Sequence, residues 1–215
     1  MDQHTITVRR TARYLTLGPT DGTAREIWFA CHGYGQLARR FVRMLAPLDD
    51  GARLVVVPEG LSRFYTDHTT GTVGASWMTT EDRLREIEDY VALLDAIHEA
   101  VGAGSAGVPI HLLGFSQGSA TAWRWIAMGA VRPVRLVLWG GEIPKDMDWS
   151  RHGDRFRSVH VLMVAGDRDE FTPPSAMTQY QRILAQHGIS HRMEQYRGAH
   201  DVDKRVFARL LREED

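Results

Sequence analysis

Apolar positions along this chain fall into short unbroken runs, separated by longer stretches in which they recur every three or four residues. The runs are Ile27 to Cys31, Leu54 to Val57, Ile110 to Phe115, Val134 to Trp139 and Val159 to Ala165. A short apolar run without polar alternation predicts a strand buried on both faces. Leu37 to Leu48, Glu81 to Ala100 and Ser119 to Met128 carry helical spacing, and in the second Leu84, Ile87, Val91, Leu94 and Ile97 form one stripe. Ser175 to His187 and Asp201 to Arg212 predict two more helices around a last strand at His191 to Tyr196, while Ile6 to Arg9 with Tyr14 to Leu17 predicts a leading hairpin. Strand and helix alternate. The expected class is therefore α/β, with a mostly parallel central sheet covered by helices on both faces.

Pro47, Pro109 and Pro133 fall where helices should have ended and strands have not begun. The glycine-rich stretch Val101 to Val108 reads as a loop. Glu59 to Thr80 is the longest stretch without clear periodicity and carries Phe64, Tyr65, Trp77 and Met78; it reads either as a functional loop or as an ordinary surface excursion.

With 215 residues, 43% of them hydrophobic, the chain suits one core, and residues 1–215 are expected to form a single domain. Its 26 basic and 27 acidic side chains nearly cancel and are scattered, which indicates neither a nucleic-acid footprint nor a polybasic membrane patch. The expected partner is a small molecule. Cys31 is the only cysteine, so no internal disulfide can form, and a reducing compartment fits. No apolar stretch approaches the ~20 residues of a membrane span, and Met1 to Thr5 lacks a charged-then-apolar signal, so the expected location is cytoplasmic. Oligomeric state is not written in the sequence.

The chemistry concentrates at Gly114-Phe115-Ser116-Gln117-Gly118, where an apolar run gives way to a helix-like one. This is the form of a nucleophile elbow: a serine on a tight strand-to-helix turn, with glycines two residues either side that let strand and helix approach. A serine hydroxyl is a weak nucleophile until a base and an orienting acid reach it, and in this kind of fold both follow later in the chain, on loops after strands. His200, in Arg197-Gly198-Ala199-His200-Asp201, is the only histidine between the last strand and the final helix. Gly166 to Pro173 follows the penultimate strand and offers three acids, Asp167, Asp169 and Glu170, with Asp167 hard against the strand end. An oxyanion hole is the third requirement. Cys31-His32-Gly33-Tyr34-Gly35-Gln36 closes an early strand with a glycine-rich turn, and the backbone amides of Tyr34 and Gln117 are the candidate donors. Trp77, Met78 and Tyr34 are candidates for the pocket wall. No His-Glu-x-x-His and no dinucleotide fingerprint occur, so neither metal nor cofactor is expected.

Taken together, the chain resembles the phospholipase/carboxylesterase family of α/β-hydrolases, which includes the acyl-protein thioesterases. The resemblance rests on His32-Gly33-Tyr34-Gly35, on Gly114 to Gly118, on Gly166 to Pro173 and on Gly198-Ala199-His200, in that order along nearly the whole chain. It implies an α/β-hydrolase fold with an eight-stranded, mostly parallel sheet and no large cap domain. It also implies a metal-independent mechanism on esters or thioesters with an apolar acyl chain, and it favours Asp169 among the three acids. Gln36 stands where the family often has aspartate, Ser119 where glycine is common, and Ser76-Trp77-Met78-Thr79 only partly echoes a family segment.

The function expected is a serine hydrolase acting through Ser116, Asp169 and His200 on carboxylic esters, thioesters or lysophospholipids by way of an acyl-enzyme. Because the base must be neutral to accept a proton, activity should rise with pH through roughly 6 to 7. The alternatives are acyl transfer or peptide hydrolysis on the same residues, or a hydrolase-fold protein that binds a ligand without turnover.

Overall fold

Every unbroken apolar run becomes a strand of one sheet, because each strand is covered on both faces. The computed structural model describes residues 1–2, 4–102 and 107–213. Its strands are β1 (Tyr14–Leu17), β2 (Glu26–Cys31), β3 (Arg53–Pro58), β4 (Ser62–Asp67), β5 (Thr72–Ser76), β6 (Ile110–Phe115), β7 (Arg135–Trp139), β8 (His160–Gly166) and β9 (His191–Tyr196). The α-helices are α1 (Ala38–Phe41), α2 (Arg83–Gly102), α3 (Gln117–Met128), α4 (Trp149–His152), α5 (Pro174–Gln186) and α6 (Lys204–Arg212). The main sheet has seven strands in the order β1-β3-β2-β6-β7-β8-β9. Strand β1 is antiparallel to β3 and the remaining pairs are parallel.

Successive strand residues serve opposite cores. Ile27, Phe29, Cys31, Leu112 and Leu138 point to the face packed by α2, α3 and α5. Trp28, Ala30, Leu113, Phe115 and Trp139 point to the face packed by α1, the 3₁₀ turn that follows it, and α6. Period-two alternation between two apolar layers is why these strands read as continuous hydrophobic runs. Helix α2 packs through Ile87, Tyr90, Val91, Leu94 and Ile97, whereas Leu84, at the start of the predicted stripe, stays 68% exposed.

Four expectations change. The leading hairpin does not form: β1 takes its partner from β3, with Leu15 opposite Val57, and residues 6–9 adopt no strand. Leu37 to Leu48 is one turn of α-helix followed by a 3₁₀ segment, Val42–Leu48, that contains Pro47. The stretch Glu59 to Thr80 is not a structureless loop: β4 and β5 pair antiparallel in a small sheet of their own. The central sheet thus has seven strands among the described residues, where the resemblance implied eight. The loop expected over Val101 to Val108 falls largely on residues 103–106, outside the described residues. Among the described residues no helix is long and apolar enough to cross a membrane.

The chain leaves β2 toward β3 on one side and returns to β6 on the other, so the strand order reverses between β2 and β6. A crevice opens at the carboxyl ends of strands at such a reversal. The turns after β2, β6, β7, β8 and β9 all lie at that end.

Candidate active site

Ser116 is the residue between β6 and α3, with φ 54° and ψ −120°, one of two non-glycine residues at positive φ among the described residues. Its backbone is pinned on both sides: its N–H donates to the Trp139 carbonyl at 2.9 Å, and its carbonyl accepts from the Ser119 N–H at 2.9 Å. Surroundings that over-determine a strained residue are what allow it to persist. The elbow closes only with glycine at 118, where a Cβ would stand 2.0 Å from the Cys31 carbonyl oxygen. Ser119 is fully buried, and its hydroxyl donates to the Gly114 carbonyl at 2.8 Å, which fastens the first turn of α3 to the end of β6.

His200, in the turn after β9, brings Nε2 to 2.9 Å from Ser116 Oγ and Nδ1 to 2.9 Å from Asp169 Oδ2. Asp169 is buried, its side chain 1% exposed, and its other oxygen accepts the N–H groups of Phe171 and Thr172 at 2.9 and 3.0 Å. Asp167 has a different role: its carboxylate accepts the Gly198 N–H at 3.0 Å and stitches the turn after β8 to the turn after β9. The turn carrying His200 is braced from below, where the Trp139 indole N–H donates to the Asp201 carbonyl at 2.8 Å and the Tyr196 hydroxyl donates to the same oxygen. Phe115 and Phe171 flank the imidazole, with ring centroids 5.0 and 4.6 Å away.

The turn after β2 lies against the serine, since a Cβ on Gly33 would be 3.2 Å from Ser116 Cβ. Gln36 holds the turn closed by accepting the Gly33 N–H at 2.9 Å through Oε1, so the amide does locally what a carboxylate could do there. The Tyr34 N–H belongs to this turn, and the Gln117 N–H is the first of α3, one of the helix-terminal donors left without an intrahelical acceptor. The Gln117 side chain fixes the third wall, accepting the Trp77 N–H at 3.1 Å and donating to the Met78 carbonyl at 2.7 Å.

His32 underlies this arrangement. It is fully buried, its Nε2 accepts the Gly60 N–H at 3.0 Å, and its Nδ1 therefore carries the proton and donates to the Gly33 carbonyl at 2.8 Å. Burial, which disfavours a charged ring, pushes its pKa down to about 4, with the Gly33 carbonyl and the Glu59 charge opposing only part of the effect. Cys31 beside it is raised to about 12 by burial and stays a thiol.

A cleft of about 530 Å³ opens at Ser116, and Met78 and Phe171 lie in its wall. Of the expected pocket residues, Met78 lines this cleft. Tyr34, 59% exposed, sits at the rim against Phe64. Trp77 lies behind the site instead: it is 2% exposed, stacks on His32 and donates its indole N–H to the His32 carbonyl at 2.8 Å. Arg83, Arg124 and Asp146, which also line the cleft, were not singled out in the sequence, because nothing local marks charges that meet only in space.

A search of curated protein sequences found no match. Solved structures do match: acyl-protein thioesterase 2 of Zea mays at 16% identity and a TM-score of 0.72, over 94% of this chain and 99% of that one. A phospholipase/carboxylesterase of Dyadobacter fermentans DSM 18053 matches at 18% identity and a TM-score of 0.69, over 96% and 97% of the two chains. A carboxylesterase of Mesorhizobium loti matches at 18% identity and a TM-score of 0.70, over 94% of each. At these identities the likeness speaks for the α/β-hydrolase fold. The family model for phospholipases and carboxylesterases matches residues 19–212, nearly the whole chain, and the chain therefore belongs to the phospholipase/carboxylesterase family of hydrolases.

Proposed function

We propose that this enzyme cleaves carboxylic esters or thioesters through Ser116, His200 and Asp169 by way of an acyl-enzyme. The observation that carries the reading is the unbroken chain of contacts, 2.9 Å from Ser116 Oγ to His200 Nε2 and 2.9 Å from His200 Nδ1 to Asp169 Oδ2. Asp169, already spending one oxygen on two backbone donors, holds the His200 Nδ1 proton with the other and leaves Nε2 free to accept. His200 takes the hydroxyl proton as Ser116 Oγ attacks the acyl carbonyl, and the oxyanion rests on the amides of Tyr34 and Gln117, each such donor being worth about a hundredfold in rate. His200 passes the proton to the departing alcohol or thiol as the carbon–heteroatom bond breaks. Water then attacks the acyl-enzyme, gives its proton to His200, and the carboxylic acid leaves as Ser116 regains its hydrogen.

The test is hydrolysis of p-nitrophenyl esters from acetate to palmitate by the wild type and three variants. Ser116→Ala and Asp169→Ala are expected to lose about a thousandfold or more in kcat/KM. Asp167→Ala, which loosens a turn, should stay within about tenfold. An unimpaired Ser116→Ala, or a wild type inactive on every ester, overturns the proposal.

A further inference from the structure

The cleft at Ser116 is not an apolar tunnel. Arg83, Arg124 and Lys145 line it against only two carboxylates, Glu142 and Asp146. Asp146 is shared: one oxygen accepts from Arg83 Nη2 at 2.6 Å and the other from Arg124 Nη2 at 2.9 Å. One carboxylate bridging two guanidinium groups leaves a net positive charge at that point, and Lys145, next in the chain and exposed, makes no ion pair among the described residues. Arg124 is 9% exposed and lies beside the Tyr90 hydroxyl, which together with Asp146 favours the charged guanidinium. Arg124 and Asp146 also line a second, smaller cavity of about 170 Å³. The Arg124 backbone lies about two helical turns beyond Ser116 along α3, ~12 Å along the helix axis.

We infer that the substrate carries an anionic group, a carboxylate, about two helical turns from the scissile carbonyl, received by Arg83, Arg124 and Lys145 in the cleft's wall. This rests on the hydrolase reading and narrows it to esters with a charged far end, in place of the wholly apolar acyl chain that the family resemblance implied. A neutral alkyl chain of that length would lay its end against three cations and strip their water without compensation, whereas a carboxylate gains charge-assisted bonds there. The carboxylate could be borne by the acyl or by the alcohol portion, and both are tested.

In the first arm, kcat/KM is compared for p-nitrophenyl octanoate and the p-nitrophenyl half-ester of octanedioic acid. In the second, the pair is octyl acetate and the acetate ester of ω-hydroxyoctanoic acid. The carboxylate-bearing member of one pair is expected to be preferred about tenfold, and the preference should shrink in high salt. Lys145→Gln, at an exposed position, should cut that anionic-to-neutral ratio about fivefold or more, and Lys145→Arg should restore it. The ratio is an internal control against misfolding. Equal or lower kcat/KM for the carboxylate in both arms, or a ratio untouched by Lys145→Gln, overturns the inference while leaving ester hydrolysis standing. If no ester is turned over, the hydrolase reading falls, and calorimetric titration of Ser116→Ala with the same two pairs still decides the cleft's preference.

Discussion

A methyl group at Gly140 would stand 2.9 Å from Asp169 Oδ2 and 3.1 Å from His200 Nδ1, and the residue's φ of +55° is one that other side chains rarely adopt. Gly140 follows β7 directly, so the space in which the acid meets the base is set by the absence of a side chain on a neighbouring turn. Gly140→Ala is expected to displace the Asp169–His200 pair by a fraction of an ångström and lower kcat about a hundredfold, with the far-UV dichroism unchanged. Stopped-flow ester hydrolysis beside a thermal melt measures both, and undiminished kcat would show that the pair does not depend on this gap. Such a residue is hard to find in a sequence. Ser116 and His200 were legible as candidates because turn chemistry is written in contiguous residues, the elbow in Gly114 to Gly118 and the proposed base in Gly198-Ala199-His200. Gly140 takes its meaning from atoms that arrive from other loops, and no local pattern marks it; His32 and Gln36 stood in a legible glycine-rich turn, but the Gly60 contact that gives His32 its state is not local.

Elements show the same division between local and distant causes. The buried strands announced themselves through apolar runs, but β4 did not, because its Ser62–Asp67 sequence is half-exposed and carries no run. It is a strand because β5 pairs with it and because Ala75 of β5 exchanges backbone bonds with the turn after β2, accepting from the Gly35 N–H and donating to the Gln36 carbonyl. The β4–β5 hairpin is therefore a brace for the turn that carries the Tyr34 amide. Glu59, at its root, is 1% exposed and gathers three segments: it accepts from Arg13 at 2.8 Å, from Arg63 of β4 at 2.7 Å and from the Ala38 N–H at the start of α1 at 3.1 Å. Burial works to raise its pKa, but the two arginines and the Ala38 N–H outweigh that and hold it below the ordinary carboxylate range. Because Arg13 and Arg63 can return to water once released, Glu59→Ala should cost about 2 kcal/mol rather than the larger penalty of stranding a buried charge. The shift in urea midpoint at constant slope measures it, and a change below roughly 0.5 kcal/mol would reduce the cluster to surface decoration.

For the molecule as a whole, the alternation of strands and helices was enough to derive a two-faced parallel sheet, whereas the pairing of β1 with β3 and the separate β4–β5 sheet depend on contacts that sequence spacing does not encode. The sheet's reversal between β2 and β6 gathers the reactive loops at one end, and at that end a single buried group couples the entire fold to pH. His32 accepts the Gly60 N–H and so can be protonated only by losing that bond and acquiring a charge in an apolar interior. Burial pushes its pKa down to about 4 in the folded protein from the ordinary 6.5 of a solvated imidazole, so between those values the unfolded chain binds the proton and the folded one does not. Stability therefore rises with pH over that window: the contribution is complete above about 6.5, declines as pH falls, and is spent near 4, where both states are protonated. A shift of this size corresponds to roughly 3 kcal/mol. Glu59 and Asp146 act lower, because their depressed carboxylates lose stability only as pH falls below the ordinary carboxylate range. Urea unfolding at intervals from pH 7 to pH 4.5 should consequently show a loss that begins before any carboxylate titrates. In His32→Gln, less stable at neutral pH for want of a fitted ring, that upper portion of the slope should vanish while the carboxylate-driven loss below it remains. A wild-type stability that stays flat from pH 7 to pH 4.5 would mean that His32 is hydrated or paired well enough to titrate normally, and the turn carrying the Tyr34 amide would then have to be held by Gln36 and the β5 bridge alone.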